Sequence, residues 1–285
     1  MTNMNIKKKI ILGTAQFSND YGISNNGNEI SASKLFNFAK KNIEYIDISN
    51  KYFKSNNAPN YIKKNKLKKC IKINFSEKKD FTKQINAQIK NFNNIYCVLI
   101  HNPNDLYNRK IKNIIDYLLF LKKSKKIKKI GSSIYTVSDF KQTLKVFDNR
   151  PDIIQLPINI IDRTFLNEKI VSIIKKNKIE IHARSIFLQG LLLMNKNNRN
   201  SYFTKWNYLF KKWDKIQSIQ KKIVCCIKFI KKIDFVKFIV VGFINKEQLS
   251  LFFNCLNQNA NINKLIKFKS NDQKLINPTQ WKIQK

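Results

Sequence analysis

Glycine is scarce in this chain, six residues in 285. No GxGxxG or GxxxxGK[ST] segment follows any strand-like run, which argues against the glycine-rich phosphate cradles of Rossmann and P-loop sites. Histidine is scarcer still, with two residues, and the five cysteines (Cys70, Cys97, Cys225, Cys226, Cys255) sit in apolar stretches without a CxxC pair. That combination argues against a zinc centre or a disulfide framework and for reduced core thiols, so no metal is expected. No run of 18 apolar residues is present, so no membrane span is expected. Between Lys7-Lys8-Lys9 and Gly13 stand only Ile10-Ile11-Leu12, too short an apolar core for a signal peptide, and a cytoplasmic location is expected.

Acid is also in short supply: 18 Asp and Glu face 55 Lys and Arg, a formal charge of +37. Such a balance raises the possibility of a polyanion partner. Only five of the cations are arginine, however, and bidentate phosphate and base recognition favours the guanidinium. The lysines run along the whole chain together with Asn, Ile and Phe, which reads as a residue bias, and no nucleic-acid partner is expected. A polyanion-binding protein is kept as the alternative, with weak binding at physiological salt as its disproof.

What is present is a repeating pattern. Short apolar runs over residues 9–13, 45–48, 69–74, 96–101, 128–132, 152–156, 180–184 and 237–242 read as eight strands. Helical stretches fit between them at 33–41, 80–92, 109–123, 138–146, 167–176 and within 203–232. In 109–121 the apolar positions 111, 114, 115, 118, 119 and 121 form a helical stripe. With no linker dividing the chain, the expectation is one α/β domain over residues 1–285, its strands buried on both faces in a parallel sheet closed as a (β/α)8 TIM barrel.

Three of these strands carry an ionisable residue where apolar ones are expected. Strand two ends Ile-Asp47-Ile-Ser, strand three reads Cys-Ile-Lys72-Ile-Asn, and strand four ends Leu-Ile-His101-Asn-Pro. The C-terminal strand ends of a barrel gather at one rim, so the three would meet there. A buried ammonium needs a carboxylate, and Asp47 on the neighbouring strand can supply it. The bland readings are a solvated Lys72, a core His101 and an Asp47 that merely caps the next segment.

Leu-Gly13-Thr14-Ala-Gln16-Phe near the start and Ile-Asp47-Ile-Ser-Asn-Lys-Tyr52 resemble the first strand and the Asp-x-x-x-x-Tyr motif of aldo/keto reductases. Lys72 and Leu-Ile-His101-Asn-Pro follow in the family's order. So do Ile-Gly131-Ser-Ser133, then Gln155-Leu-Pro-Ile-Asn159-Ile-Ile-Asp162-Arg163, then His182-Ala-Arg184-Ser185-Ile-Phe-Leu188-Gln189-Gly190, and Val-Val-Gly242-Phe-Ile-Asn245-Lys246-Glu-Gln248. The nearest branch is the bacterial one with the Leu-Gly-Thr-Ala-Gln opening, some of whose members are associated with surface-polysaccharide sugars.

The resemblance implies an NAD(P)-dependent oxidoreductase that interconverts a small carbonyl or sugar substrate and its alcohol, acting as a monomer or small homo-oligomer. Tyr52 would be the general acid, Lys72 and Asp47 its electrostatic support, and His101 the group that orients the carbonyl. It places the nicotinamide near Ser133 and Gln155, with Tyr135 or Asn159 close by, and counts Gly13 and Thr14 among the cofactor-binding residues. It places the pyrophosphate over Ser185, Leu188 and Gly190, and the adenosine beside Gly242, Asn245, Lys246 and Gln248. NADP is the cofactor of family habit, with NAD as the alternative, since Lys246 is the one clear cation for a 2′-phosphate. Arg163 and Arg184 read as structural residues.

Two departures stand out. Phe53 follows the tyrosine where the family has glycine, and Ile134 stands where an asparagine is common. Residues 195–206, with Arg199, Tyr202, Phe203 and Trp206, are either a substrate-facing loop or a plain surface loop. A cofactor-binding barrel without catalysis, serving as a regulatory subunit, is the further alternative.

Overall fold

A computed structural model describes residues 7–17, 32–53, 57–75, 80–265 and 267–283. Eight strands form where the apolar runs lie: β1 Ile10–Gly13, β2 Tyr45–Ser49, β3 Lys68–Ile73, β4 Ile95–Ile100, β5 Lys129–Ser133, β6 Ile153–Pro157, β7 Glu180–Arg184 and β8 Val236–Gly242. Each matches its expected run to within one residue at either end. They pair in sequence order, all parallel, and β8 closes on β1, so the architecture is a (β/α)8 barrel.

Strand side chains alternate between the two faces of the sheet, and here the two sets form separate cores. Ile10, Leu12, Ile46, Ile48, Ile71, Ile73, Val98, Ile100 and their equivalents pack outward in one large cluster with the helices. Ile11, Tyr45, Cys70, Cys97, Leu99, Ile153 and Phe238 fill the barrel interior. Gly131 is required where β5 meets β6: a Cβ there would lie 1.8 Å from the Ile153 carbonyl oxygen. Between Lys69 and Cys70 the β3–β4 register shifts, so that Tyr96 has no opposite number on β3. Its hydroxyl reaches the Glu180 carboxylate at 2.9 Å, far from the rim where β2 to β4 end.

Among the described residues seven helices of two turns or more cover the outside: α1 Ala32–Ala39, α2 Phe81–Ile89, α3 Ile111–Lys123, α4 Val137–Val146, α5 Glu168–Lys176, α6 Ile219–Lys231 and α7 Lys246–Cys255. Six correspond to expected stretches. In α3 the buried stripe is Ile114, Ile115, Leu118 and Leu121, whereas Leu119 points outward and is 46% exposed, so its place in the expected stripe is corrected. Helix α7 stands where only cofactor contacts were expected. Asn245 caps it by accepting from the Gln248 backbone, and Leu249, Phe252, Phe253 and Leu256 bury its apolar face.

The β7–α6 connection and the C-terminal segment build a further core outside the barrel, with Leu188, Leu191, Phe203, Trp206, Phe210, Trp213, Phe268 and Leu275 among its buried members. All five cysteines are free and buried, as composition suggested. Among the described residues no helix is long and apolar enough to cross a membrane.

Candidate active site

Asp47, Lys72 and His101 belong to neighbouring strand ends, and the barrel closure brings them together. Asp47 and Lys72 point inward because they share the alternation of Tyr45 and Cys70, the interior residues two places earlier. Lys72 Nζ lies 2.6 Å from Asp47 Oδ1, with the two side chains only 6% and 2% exposed. Burial alone would lower the affinity of Lys72 for its proton. The Asp47 carboxylate and the Tyr52 hydroxyl outweigh that and raise it above the usual lysine range, so Lys72 is a cation at any physiological pH.

Tyr52 arrives on the short turn Asn50–Tyr52 that follows β2. Its ring lies 5.0 Å from Lys72 Nζ, and its hydroxyl lies 3.3 Å from His101 Nε2. The imidazole stands edge-on to the phenol, with ring centres 5.6 Å apart. On its other nitrogen, His101 Nδ1 has Ser49 Oγ at 3.2 Å and Asn74 Nδ2 at 3.3 Å. Desolvation, then the charges of Lys72, Arg184 and Lys51, lower its pKa to about 2, so the ring is neutral across the working range. The four residues expected at the rim therefore form one cluster.

Gln155 pairs with Ser133 at the rim, and its side chain is engaged by the ion pair. Fully buried on β6, it reaches across the barrel, donating from Nε2 to Asp47 Oδ2 at 2.8 Å and accepting from Lys72 Nζ at 3.3 Å. Both ends of its amide are committed to the ion pair. Asn159 is committed as well: Oδ1 accepts from the Ile161 and Asp162 backbones, and Nδ2 donates to the Ser185 carbonyl at 3.2 Å. Ser133, buried at the end of β5, lies at the same rim. A capping box between Thr136 and Asp139 at the start of α4 holds the loop that follows it.

Thr14 donates from its hydroxyl to the Asp47 carbonyl at 2.9 Å and ties the ends of β1 and β2, while Gly13 pairs with both Asp47 and Gly242. The Gln16 amide packs against Gly242: a Cβ there would meet Gln16 Oε1 at 1.6 Å. After β7 the backbone turns left-handed at Ser185, Leu188, Gln189 and Gly190, with φ of 58°, 47°, 52° and 94°. Such a run in non-glycine residues is costly and concentrates at functional loops. Asn245 and Gln248 cap α7 for each other, Gln248 Oε1 accepting from the Ile244 backbone at 3.0 Å, and the exposed Lys246 has Glu247 at 3.8 Å.

Arg163 is structural, donating to the Ile160 and Leu265 carbonyls. Arg184 stacks on Tyr135 at 3.9 Å and donates to the Ile134 carbonyl at 2.7 Å. The candidate substrate residues of 195–206 are spent in the outer core instead. Arg199 pairs with Asp214, Tyr202 donates to the Lys274 carbonyl, Trp206 donates to Asp272, and Phe203 is fully buried. Sequence reasoning missed Ser49 and Asn74, although both sit two places beyond an inward residue and so share its face.

The model of the aldo/keto reductase family matches residues 9–270. No curated protein matches the sequence significantly. Among solved structures, an aldo-keto reductase of Pseudomonas aeruginosa superposes with a TM-score of 0.60 at 18% identity, covering 87% of this chain and 89% of that one. The glycerol dehydrogenase AKR11B4 of Gluconobacter oxydans gives 0.57 at 18% identity over 88% and 87% of the two chains. An aldo-keto reductase from a Medee basin deep-sea metagenome library gives 0.57 at 17% identity over 97% and 92%.

Proposed function

Because the chain belongs to the aldo/keto reductase family, we propose that it reduces an aldehyde or ketone, or oxidises the matching alcohol, with Tyr52 as the proton donor and acceptor. The observation that carries this reading is the Tyr52 hydroxyl, held between the buried Lys72–Asp47 ion pair and a neutral His101. A free phenol, of pKa about 10, is a poor acid at neutral pH. A cation 5.0 Å from the ring centre stabilises the phenolate, so the proton leaves more readily. Asp47 and Gln155 keep that cation in place. A neutral His101 adds a hydrogen-bond partner for the substrate oxygen without a charge of its own.

The family generally uses NAD(P)H, which supplies the hydride when bound. The left-handed loop after β7 suits an extended dinucleotide over the rim toward Gly242 and the start of α7, with Ser133 left to meet the nicotinamide amide. Thr14 and Gly13 shape the floor through β1. Lys246 favours a 2′-phosphate, but Glu247 beside it offsets that charge. NADP is expected to be preferred over NAD by less than about tenfold, or 1.4 kcal/mol. A small carbonyl or sugar-derived substrate, and one cytoplasmic barrel unit over the whole chain, complete the reading.

The test has two stages: titration with NADPH and NADH by nicotinamide fluorescence, then turnover against a panel of aldehydes and sugars. Tyr52→Phe should abolish turnover while leaving cofactor affinity within about twofold of wild type, because it removes only the transferable proton. Wild-type turnover in that variant would sink the mechanism.

A further inference from the structure

We propose that Ser49 and Asn74 are positioning residues that keep the His101 proton on Nε2, so that the ring faces Tyr52 and the substrate oxygen as a hydrogen-bond donor. The inference rests on the reading of His101 as the partner of the carbonyl, and adds what fixes its state.

A neutral imidazole carries one N–H and one bare nitrogen, and the partner of one nitrogen decides the role of the other. Nδ1 faces Asn74 Nδ2 at 3.3 Å, and an amide NH2 can only donate. It faces Ser49 Oγ at 3.2 Å, whose hydroxyl can also donate, while Asn74 Nδ2 reaches the same oxygen at 3.5 Å. Two donors on Nδ1 leave Nε2 as the protonated nitrogen, 3.3 Å from the Tyr52 hydroxyl. The opposite tautomer would set an Nδ1–H against the Asn74 amide and turn a bare lone pair toward the substrate. That arrangement would accept the Tyr52 proton and withhold it from the substrate.

Asn74 is well anchored for this task. Its backbone N–H donates to Gln88 Oε1 at 3.0 Å, and its carbonyl accepts from Gln88 Nε2 at 2.8 Å, so α2 clamps the end of β3 in both directions. Ser49 is fully buried as the last residue of β2. The charged groups acting on the ring are Lys72 from β3, Arg184 from β7 and Lys51 from the turn after β2, all cationic. Asp47 on β2 is spent on Lys72. These cations disfavour the doubly protonated ring but cannot choose between the neutral tautomers. That choice is left to Ser49 and Asn74.

The chain contains only two histidines, so the experiment is a long-range proton–nitrogen correlation spectrum of the ¹⁵N-labelled full-length protein. His182, bonded through Nε2 to Glu180, supplies the second signal, and a His182→Gln variant assigns the pair. Wild type should show His101 neutral, with Nε2 protonated and Nδ1 bare, unchanged between about pH 5 and 9. Asn74→Asp replaces the donor by an acceptor of the same shape and should move the proton to Nδ1. In that variant kcat should fall by at least about tenfold, the scale of a misplaced acid–base partner, with KM changed less. A wild-type ring protonated on Nδ1 would overturn the proposal without any variant, and so would an unchanged tautomer in folded Asn74→Asp. Neither result depends on turnover, so each is separable from failure of Tyr52→Phe.

Discussion

Replacing Lys72 by methionine keeps most of the side-chain volume and deletes the charge. It takes the cation away from Asp47, whose side chain is 2% exposed and keeps Gln155 Nε2 as a donor. Breaking one partner out of a buried ion pair costs about 3–5 kcal/mol, because the surviving charge is stranded. At about 2 °C per kcal/mol for a chain of this size, Tm should fall by about 6–10 °C. Asp47→Asn together with Lys72→Met strands nothing and should cost about 2 kcal/mol less than Lys72→Met alone. Urea unfolding followed by far-ultraviolet circular dichroism reads all three stabilities, whatever their activity. The linkage to pH has a definite sign. The folded-state pKa of Lys72 lies above its ordinary 10.5, so its stabilisation is complete below pH 10.5 and is lost as pH rises beyond it. Wild type should therefore weaken in that alkaline window more than Lys72→Met does. A single variant that costs under about 1 kcal/mol, or a double variant no more stable than Lys72→Met alone, would refute the reasoning.

Two further substitutions test the geometry. Gly131→Ala puts a methyl 1.8 Å from a backbone carbonyl, which cannot yield, and should lower Tm or prevent soluble expression. Gly242→Ala meets only the end of the Gln16 side chain, which can swing aside, so that variant should fold with a Tm close to wild type and altered dinucleotide affinity. Gln155→Met keeps the bulk of the side chain and removes both hydrogen bonds to the ion pair. It should depress kcat and shift its pH profile while cofactor affinity stays within about threefold, whereas a large loss of affinity alone would return Gln155 to the nicotinamide.

Most of the strands were legible as short runs rich in Ile, Val and Leu buried on both faces, although β5, Lys-Ile-Gly-Ser-Ser, and β7, Glu-Ile-His-Ala-Arg, lack that richness. Asp47, Lys72 and His101 were legible as charges or imidazole at or near the C-terminal ends of neighbouring strands. Gln155 was legible as a rim residue, but its hydrogen bonds to the ion pair were not. Its reach across to β2 and β3 depends on barrel diameter and on a rotamer, and neither is written in local pattern. Helix α7 could have been found from Asn245, Gln248 and the spacing of Leu249, Phe252, Phe253 and Leu256. It was overlooked because the same stretch carries cofactor contacts in the resemblance. The aromatic and cationic residues of 195–206 suggested a surface for substrate, and only their tertiary partners, Asp214, Asp272 and Lys274, show them turned inward.

That inward turn gives the molecule an optical label. The three tryptophans are Trp206, Trp213 and Trp281, and all belong to the outer core of the β7–α6 connection and the C-terminal segment; the aromatics of the barrel interior are Tyr45, Tyr96 and Phe238. Trp213 stacks on Phe268 with ring centres 5.0 Å apart and donates from its indole to the Leu192 carbonyl. Tryptophan emission is thus a spectroscopic report on one part of the fold, while circular dichroism is dominated by the barrel. Denaturation curves from the two signals coincide only if the loop core and the barrel melt as one cooperative unit. If emission changes first, the β7–α6 connection and the C-terminal segment have a melting equilibrium of their own, separate from the barrel.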